Sequence, residues 1–122
     1  MPHCIIDYSA DVADQVDIER LLEAVHQGAL ASALFPEYDI KTRAIAFDRH
    51  RTGQTRDSFV HVAIHLLDGR SDAQKAALSE GVLDRIEPLL PAVVSVGVEI
   101  CDMHRASYRK RVLAPDSDSG AG

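Results

Sequence analysis

The sequence predicts an α/β (α+β) domain in which one βαβ unit is used twice, giving a four-stranded mixed sheet with two helices on one face. Two observations predict it. The apolar periodicity runs strand, helix, strand and then strand, helix, strand, and the two helices open at Asp17 and Ser71, 54 positions apart. Each parallel strand pair needs a right-handed crossover, which carries both helices to the same side of the sheet.

Residues 3–7 form the first strand, and the polar Ser9, Ala10 and Asp11 turn the chain. From Asp17, a capping residue, an apolar stripe of Leu21, Leu22, Val25, Ala29, Leu30, Ala33 and Leu34 recurs at three- and four-residue steps, the spacing of an amphipathic helix that stops before Pro36. Residues 40–48 alternate as a strand, with Lys41, Arg43, Ile45 and Phe47 on one side. Polar residues 49–57, with Gly53 among them, form a loop or hairpin, and residues 59–67 are the strongest strand signal in the chain. Ser71 and Gln74 make a capping-box pattern, opening a helix expected to bury Ala73, Ala77, Leu78, Val82, Ile86 and Leu89 or Leu90 before Pro91. Residues 93–101 supply the last strand, with Gly97 as a bulge position. A single domain spans residues 1–113, with repeats at about 1–48 and 58–104 and a short C-terminal arm, and 114–122 reads as a disordered tail. The sheet face without helices still carries apolar residues, so burial against further copies of the chain is expected.

A chain of 122 residues with 46% hydrophobic and 26% charged residues has the composition of an ordinary globular domain. No apolar run reaches the roughly 18 residues that span a bilayer, and the N-terminus has neither a basic nor an apolar leader segment, so a cytoplasmic protein is expected, with no membrane partner. A net charge of −6 argues against nucleic-acid binding, and an anionic ligand would need a local cluster of cations. Cys4 and Cys101 lack zinc-ligand spacing and read as reduced, buried thiols. His61 and His65 share a strand face but stand too far apart to hold one metal without a third ligand, so no metal is expected.

Pro2 is a candidate for the chemistry, set against the plain reading of an incidental second residue of the translated chain. Methionine aminopeptidases generally remove Met before a small residue, and removal of Met1 would leave Pro2 as a rigid secondary amine with one proton site, held by the strand behind it. Such an amine titrates near neutrality, and burial beside cations lowers its pKa further, which suits a group that takes a proton and returns it.

Met1-Pro2-His3 opening a strand, Phe35-Pro36 after the first helix, Ile40-Lys41-Thr42-Arg43, Phe59-Val60-His61-Val62 and Gly69-Arg70-Ser71 before the second helix together resemble the 5-carboxymethyl-2-hydroxymuconate Δ-isomerases of the tautomerase superfamily. The resemblance covers about residues 1–104. It implies a cofactor-free isomerase of bacterial homoprotocatechuate catabolism, a homotrimer with sites near subunit boundaries, and a small anionic dienol as substrate. It further implies Pro2 as the catalytic residue and Arg70 as a substrate-binding cation. A second binding cation of the family falls at position 41, where the best-known members carry Arg and this chain has Lys41, which keeps the charge but loses the bidentate fork. Arg43, on the same strand face, is placed to supply that fork. The reaction implied moves a proton from the enol of a 2-hydroxy-dienoate to a carbon farther along the chain. The start of the second helix at Ser71 would add backbone donors suited to an anion.

Other readings stay open for these residues. Arg70 also fits a solvated loop cation, Lys41 and Arg43 fit interfacial salt bridges, His3 fits a structural histidine, and Phe35, Phe47 and Phe59 fit core or interface aromatics. Other proline-based reactions of the superfamily, namely hydration, dehalogenation or decarboxylation, would use a protonated Pro2 with a group such as Asp7 or Glu99 to activate water. A catalytically silent small-molecule binding module is the alternative outside enzymology.

Overall fold

A computed structural model describes residues 1–113; the tail expected at 114–122 lies outside the described residues. The strands are β1 (His3–Ser9), β2 (Lys41–Phe47), β3 (Phe59–Leu67) and β4 (Ser95–Met103), and the helices are α1 (Ile18–Ala31) and α2 (Asp72–Ile86). Sheet order is β2-β1-β3-β4, with β1 parallel to β2, β3 parallel to β4, and β1 antiparallel to β3 along the centre. Each parallel pair is bridged by one helix, and the helices pack on each other over one face, as the duplicated pattern predicts.

Local chemistry sets the helix starts. The Asp17 carboxylate accepts from the Glu19 N–H at 3.0 Å, and Ser71 and Gln74 form the full capping box, each side chain accepting from the other's backbone N–H. Alternation along the central strands sets the core: Cys4 and Ile6 of β1 and Val60, Val62, Ile64 and Leu66 of β3 are buried against Leu21, Val25 and Ala29 of α1 and Leu78, Val82 and Ile86 of α2. Among the described residues no helix is long and apolar enough to cross a membrane.

Four local details differ from the expectation. Ala10–Asp14 coils into a 3-10 turn that buries Val12, where a plain polar turn was expected. Helix α1 ends at Ala31, short of Pro36, because Ala33 takes a left-handed conformation (φ 61°), so Ala33 leaves the apolar stripe and is exposed. Ala73 and Ala77 are also exposed. At about 100° per residue they point roughly 140° and 100° away from Leu78, whose direction faces the sheet. Gly97 pairs in unbroken register with His61 and forms no bulge.

The helices approach most closely at Gly28. A Cβ there would lie 2.9 Å from Val82 Cγ2 and 3.0 Å from the Val82 Cα, so one helix backbone must move to admit it. Gly28→Ala is therefore expected to destabilise the fold by about 1 kcal/mol net, overpacking outweighing the gain in helix propensity. A urea midpoint unchanged or raised in the variant would contradict this close approach.

Candidate active site

Pro2 is fully buried at the head of β1, and its carbonyl accepts from the Lys41 N–H at 3.0 Å, which extends the parallel β1/β2 pairing to the chain end. Met1 is buried as well, at 6% exposure, and forms part of the wall of a cleft of about 410 Å³. Its amine stands 3.8 Å from an Asp39 carboxylate oxygen. Burial lowers the amine's pKa from 8.0 to about 6; Asp39 opposes the shift, and Lys41 and Lys110 add to it. Burial therefore favours the neutral form of the Met1 amine near pH 7.

Arg70 lines the same cleft. Gly69, at φ +117°, turns the chain between β3 and α2 in a conformation that L side chains rarely adopt, and so aims the next residue back over the chain end. The Arg70 guanidinium donates to the carbonyls of Leu67 (3.2 Å) and Leu34 (3.0 Å) and lies 5.3 Å over the buried ring of Phe35. Both hydrogen bonds go to neutral acceptors, so they orient the cation without neutralising its charge. Phe35 is thus a core aromatic that also supports the site. The neighbouring start of α2 offers less than expected, because the N–H groups of Ser71 and Gln74 are consumed by the capping box.

Lys41 and Arg43 lie elsewhere. Both point from the edge strand β2 onto the sheet face opposite the helices and neither lines the cleft, although Lys41 adds its field to the amine. Lys41 Nζ donates to the Asp39 carbonyl at 3.1 Å, while an Arg43 guanidinium nitrogen stands 3.1 Å from His3 Nδ1. Burial and then Arg43 and Lys41 lower the His3 pKa, so a neutral ring accepts from Arg43. The same face presents His61 bonded to Glu99, His65, and the exposed Ile45 and Phe47, with Phe47 next to Phe59 (centroids 6.4 Å apart). Among the described residues no group of three or more His, Cys, Asp or Glu is placed to hold a metal. Both cysteines are free: burial pushes the Cys4 thiol up to about 11, and Cys101, half-buried on the outer face, donates to Glu99.

Four charged residues of the cleft went unrecognised in the sequence: Asp39, Asp68, Arg105 and Lys110. The available signal was the arm's composition, with Arg105, Arg109, Lys110 and Arg111 within seven residues. The arm, expected as such, forms a turn at 104–108 and then brings Lys110 to the cleft.

The amine and His3 both have lowered pKa values, so between pH 6 and 8 the unfolded chain binds more protons than the folded one. Stability therefore rises with pH across this window and is lost as pH falls through it. The urea midpoint is expected to be lower at pH 6 than at pH 8; an equal or higher value at pH 6 would show that the chain end is not desolvated.

Comparison with known proteins agrees with this architecture. The family model described as 5-carboxymethyl-2-hydroxymuconate isomerase matches residues 2–101. No curated protein matches the chain in sequence. Among solved structures, a 5-carboxymethyl-2-hydroxymuconate delta-isomerase superposes with a TM-score of 0.77 at 16% identity, covering 93% of this chain and 89% of the other. A 5-carboxymethyl-2-hydroxymuconate isomerase from Deinococcus radiodurans R1 gives a TM-score of 0.72 at 24% identity, covering 90% and 88%. A fused 4-OT protein described as a symmetric trimer gives 0.70 at 16% identity, covering 88% and 90%. The fold is of the tautomerase type, and the chain belongs to the 5-carboxymethyl-2-hydroxymuconate isomerase family, an isomerase by that membership.

Proposed function

We propose that this protein, once Met1 is removed, uses the Pro2 amine to relocate a proton in a small carboxylated 2-hydroxy-dienoate such as 5-carboxymethyl-2-hydroxymuconate. The observation that carries the proposal is the pairing, in one cleft, of a chain-terminal amine whose pKa is lowered to about 6 with a guanidinium that is held by carbonyls alone. Burial at this position disfavours the charged amine whether it belongs to Met1 or to Pro2. Neutral Pro2 takes the proton of the 2-hydroxyl, electron density moves through the diene to the far carbon, and the resulting prolinium returns the proton there. Arg70 binds the carboxylate next to the enol and stabilises the charge that develops on the dienolate. Lys41 and Arg43, outside this cleft in one chain, are proposed to bind substrate at a subunit boundary. No cofactor is needed for this proton transfer.

The trimeric assemblies described for related folds, and the outer sheet face with Ile45 at 50% and Phe47 at 38% exposure, support a homotrimer that covers this face. Relatives in fold include a member of a cis-3-chloroacrylic acid dehalogenase family and a malonate semialdehyde decarboxylase. Proline-based hydration chemistry wants a protonated amine at neutral pH, and the chain end here favours the neutral one. The test is ultraviolet-monitored ketonisation of a 2-hydroxymuconate-type dienol by protein whose intact mass shows Met1 removed. Turnover is expected; a processed protein that ignores the dienol but acts on 3-chloroacrylate would move the assignment to the hydratase branch, and one inert to both would point to a binding module.

A further inference from the structure

The cleft holds three cationic side chains, and the proposed function uses only Arg70. Arg105 and Lys110 reach it from the C-terminal arm. After β4 the chain turns at 104–108, where the N–H groups of Ser107 (3.2 Å) and Tyr108 (3.1 Å) both donate to the His104 carbonyl and a His104 ring nitrogen meets the Ser107 hydroxyl at 2.7 Å. The turn is therefore built, and it returns the arm to the loop that carries Arg70. Arg105 docks there with Nε and Nη2 on the Asp68 carbonyl, at 3.3 and 2.9 Å. Lys110 Nζ stands 3.5 Å from one oxygen of Asp39, whose other oxygen faces the terminal amine.

Arg105 Nε also stands 3.6 Å from an Asp68 carboxylate oxygen, a pair exposed at 57% and 43%, while Lys110 is 38% exposed and its partner Asp39 22%. Exposed pairs contribute little to stability, so holding the fold together is a poor account of two cations brought back to the mouth of a cleft, and a ligand carboxylate can take the place of either partner at small cost. We infer that Arg105 and Lys110 form a second anion subsite, which makes the cleft selective for dicarboxylated over monocarboxylated acids. This rests on the proposed function for its substrate: one carboxylate is held by Arg70 beside the amine, and a second is received by the arm. A cleft of about 410 Å³ accommodates an acid of that size.

The test uses the processed full-length protein and the double variant Arg105→Gln/Lys110→Gln, with thermal melts to confirm that both are folded. Calorimetric titration with two unreactive probes, glutarate and butyrate, reads the subsite apart from any chemistry. Wild-type protein is expected to bind glutarate at least about tenfold more tightly than butyrate, and the variant to lose about tenfold for glutarate alone, as befits loss of charge-assisted hydrogen bonds. Equal losses for both probes, no loss for either, or no selectivity in the wild type would overturn the subsite. Steady-state kinetics separate the two claims. Selective glutarate binding without dienol turnover would leave the subsite standing and remove the isomerase reading, whereas dienol turnover with an unchanged KM for 2-hydroxymuconate in the variant would do the reverse.

Discussion

A single residue left in front of Pro2 is expected to lower kcat/KM for a 2-hydroxymuconate-type dienol by about 10²–10⁴-fold, the usual contribution of a positioned general base. The reason is covalent. With any residue ahead of it Pro2 is an amide nitrogen without a basic lone pair, and the buried Met1 side chain also occupies cleft wall that a substrate would use. Pro2→Ala, processed to a primary amine, keeps a base in place and is expected to retain partial activity. The measurement is steady-state kinetics on mass-verified samples of the two forms. Undiminished turnover by the extended protein would exclude the amine mechanism.

Arg70→Ala is expected to raise KM for a carboxylated dienol by about 10–100-fold, the range for losing a charge-assisted hydrogen bond, with a smaller change for Lys41→Ala. The two differ in position: Arg70 lines the cleft, while Lys41 lies on the outer sheet face, where its Nζ meets the Asp39 carbonyl. Arg70→Lys should fall between wild type and Arg70→Ala, since it keeps the charge but not a fork able to span two carbonyls and still face a ligand. If Arg70→Ala and Lys41→Ala both leave KM unchanged, the proposed anion site is wrong.

What could be read from the sequence was whatever local chemistry determines. The Asp17 cap and the Ser71/Gln74 capping box involve residues at most three apart, and both formed as expected. Strand β3 has the predicted bounds because its alternation is uninterrupted from Phe59 to Leu67. Where a detail depended on which side of an element met its neighbour, periodicity alone misled: Ala73 and Ala77 look apolar in the sequence but lie off the line through Leu78, Val82 and Ile86. The site divides in the same way. Pro2 and Arg70 could be singled out as candidates because a chain end and a Gly-Arg-Ser turn before a helix are local features; the structure places Met1 and Arg70 on one cleft, with Pro2 buried next to Met1. Asp39 and Lys110 are 71 positions apart and Asp68 and Arg105 are 37 apart, so only the folded arm reveals them as cleft residues.

Whether the Pro2 amine is the base is read directly by titrating the proline nitrogen by ¹⁵N NMR alongside the pH dependence of kcat/KM. The amine is expected to titrate below the ordinary range for a chain terminus, as burial has already imposed on the Met1 amine, and the rate to rise with pH on the same midpoint. A rate profile flat across that titration, or rising at a different pH, would show that some other group takes the proton.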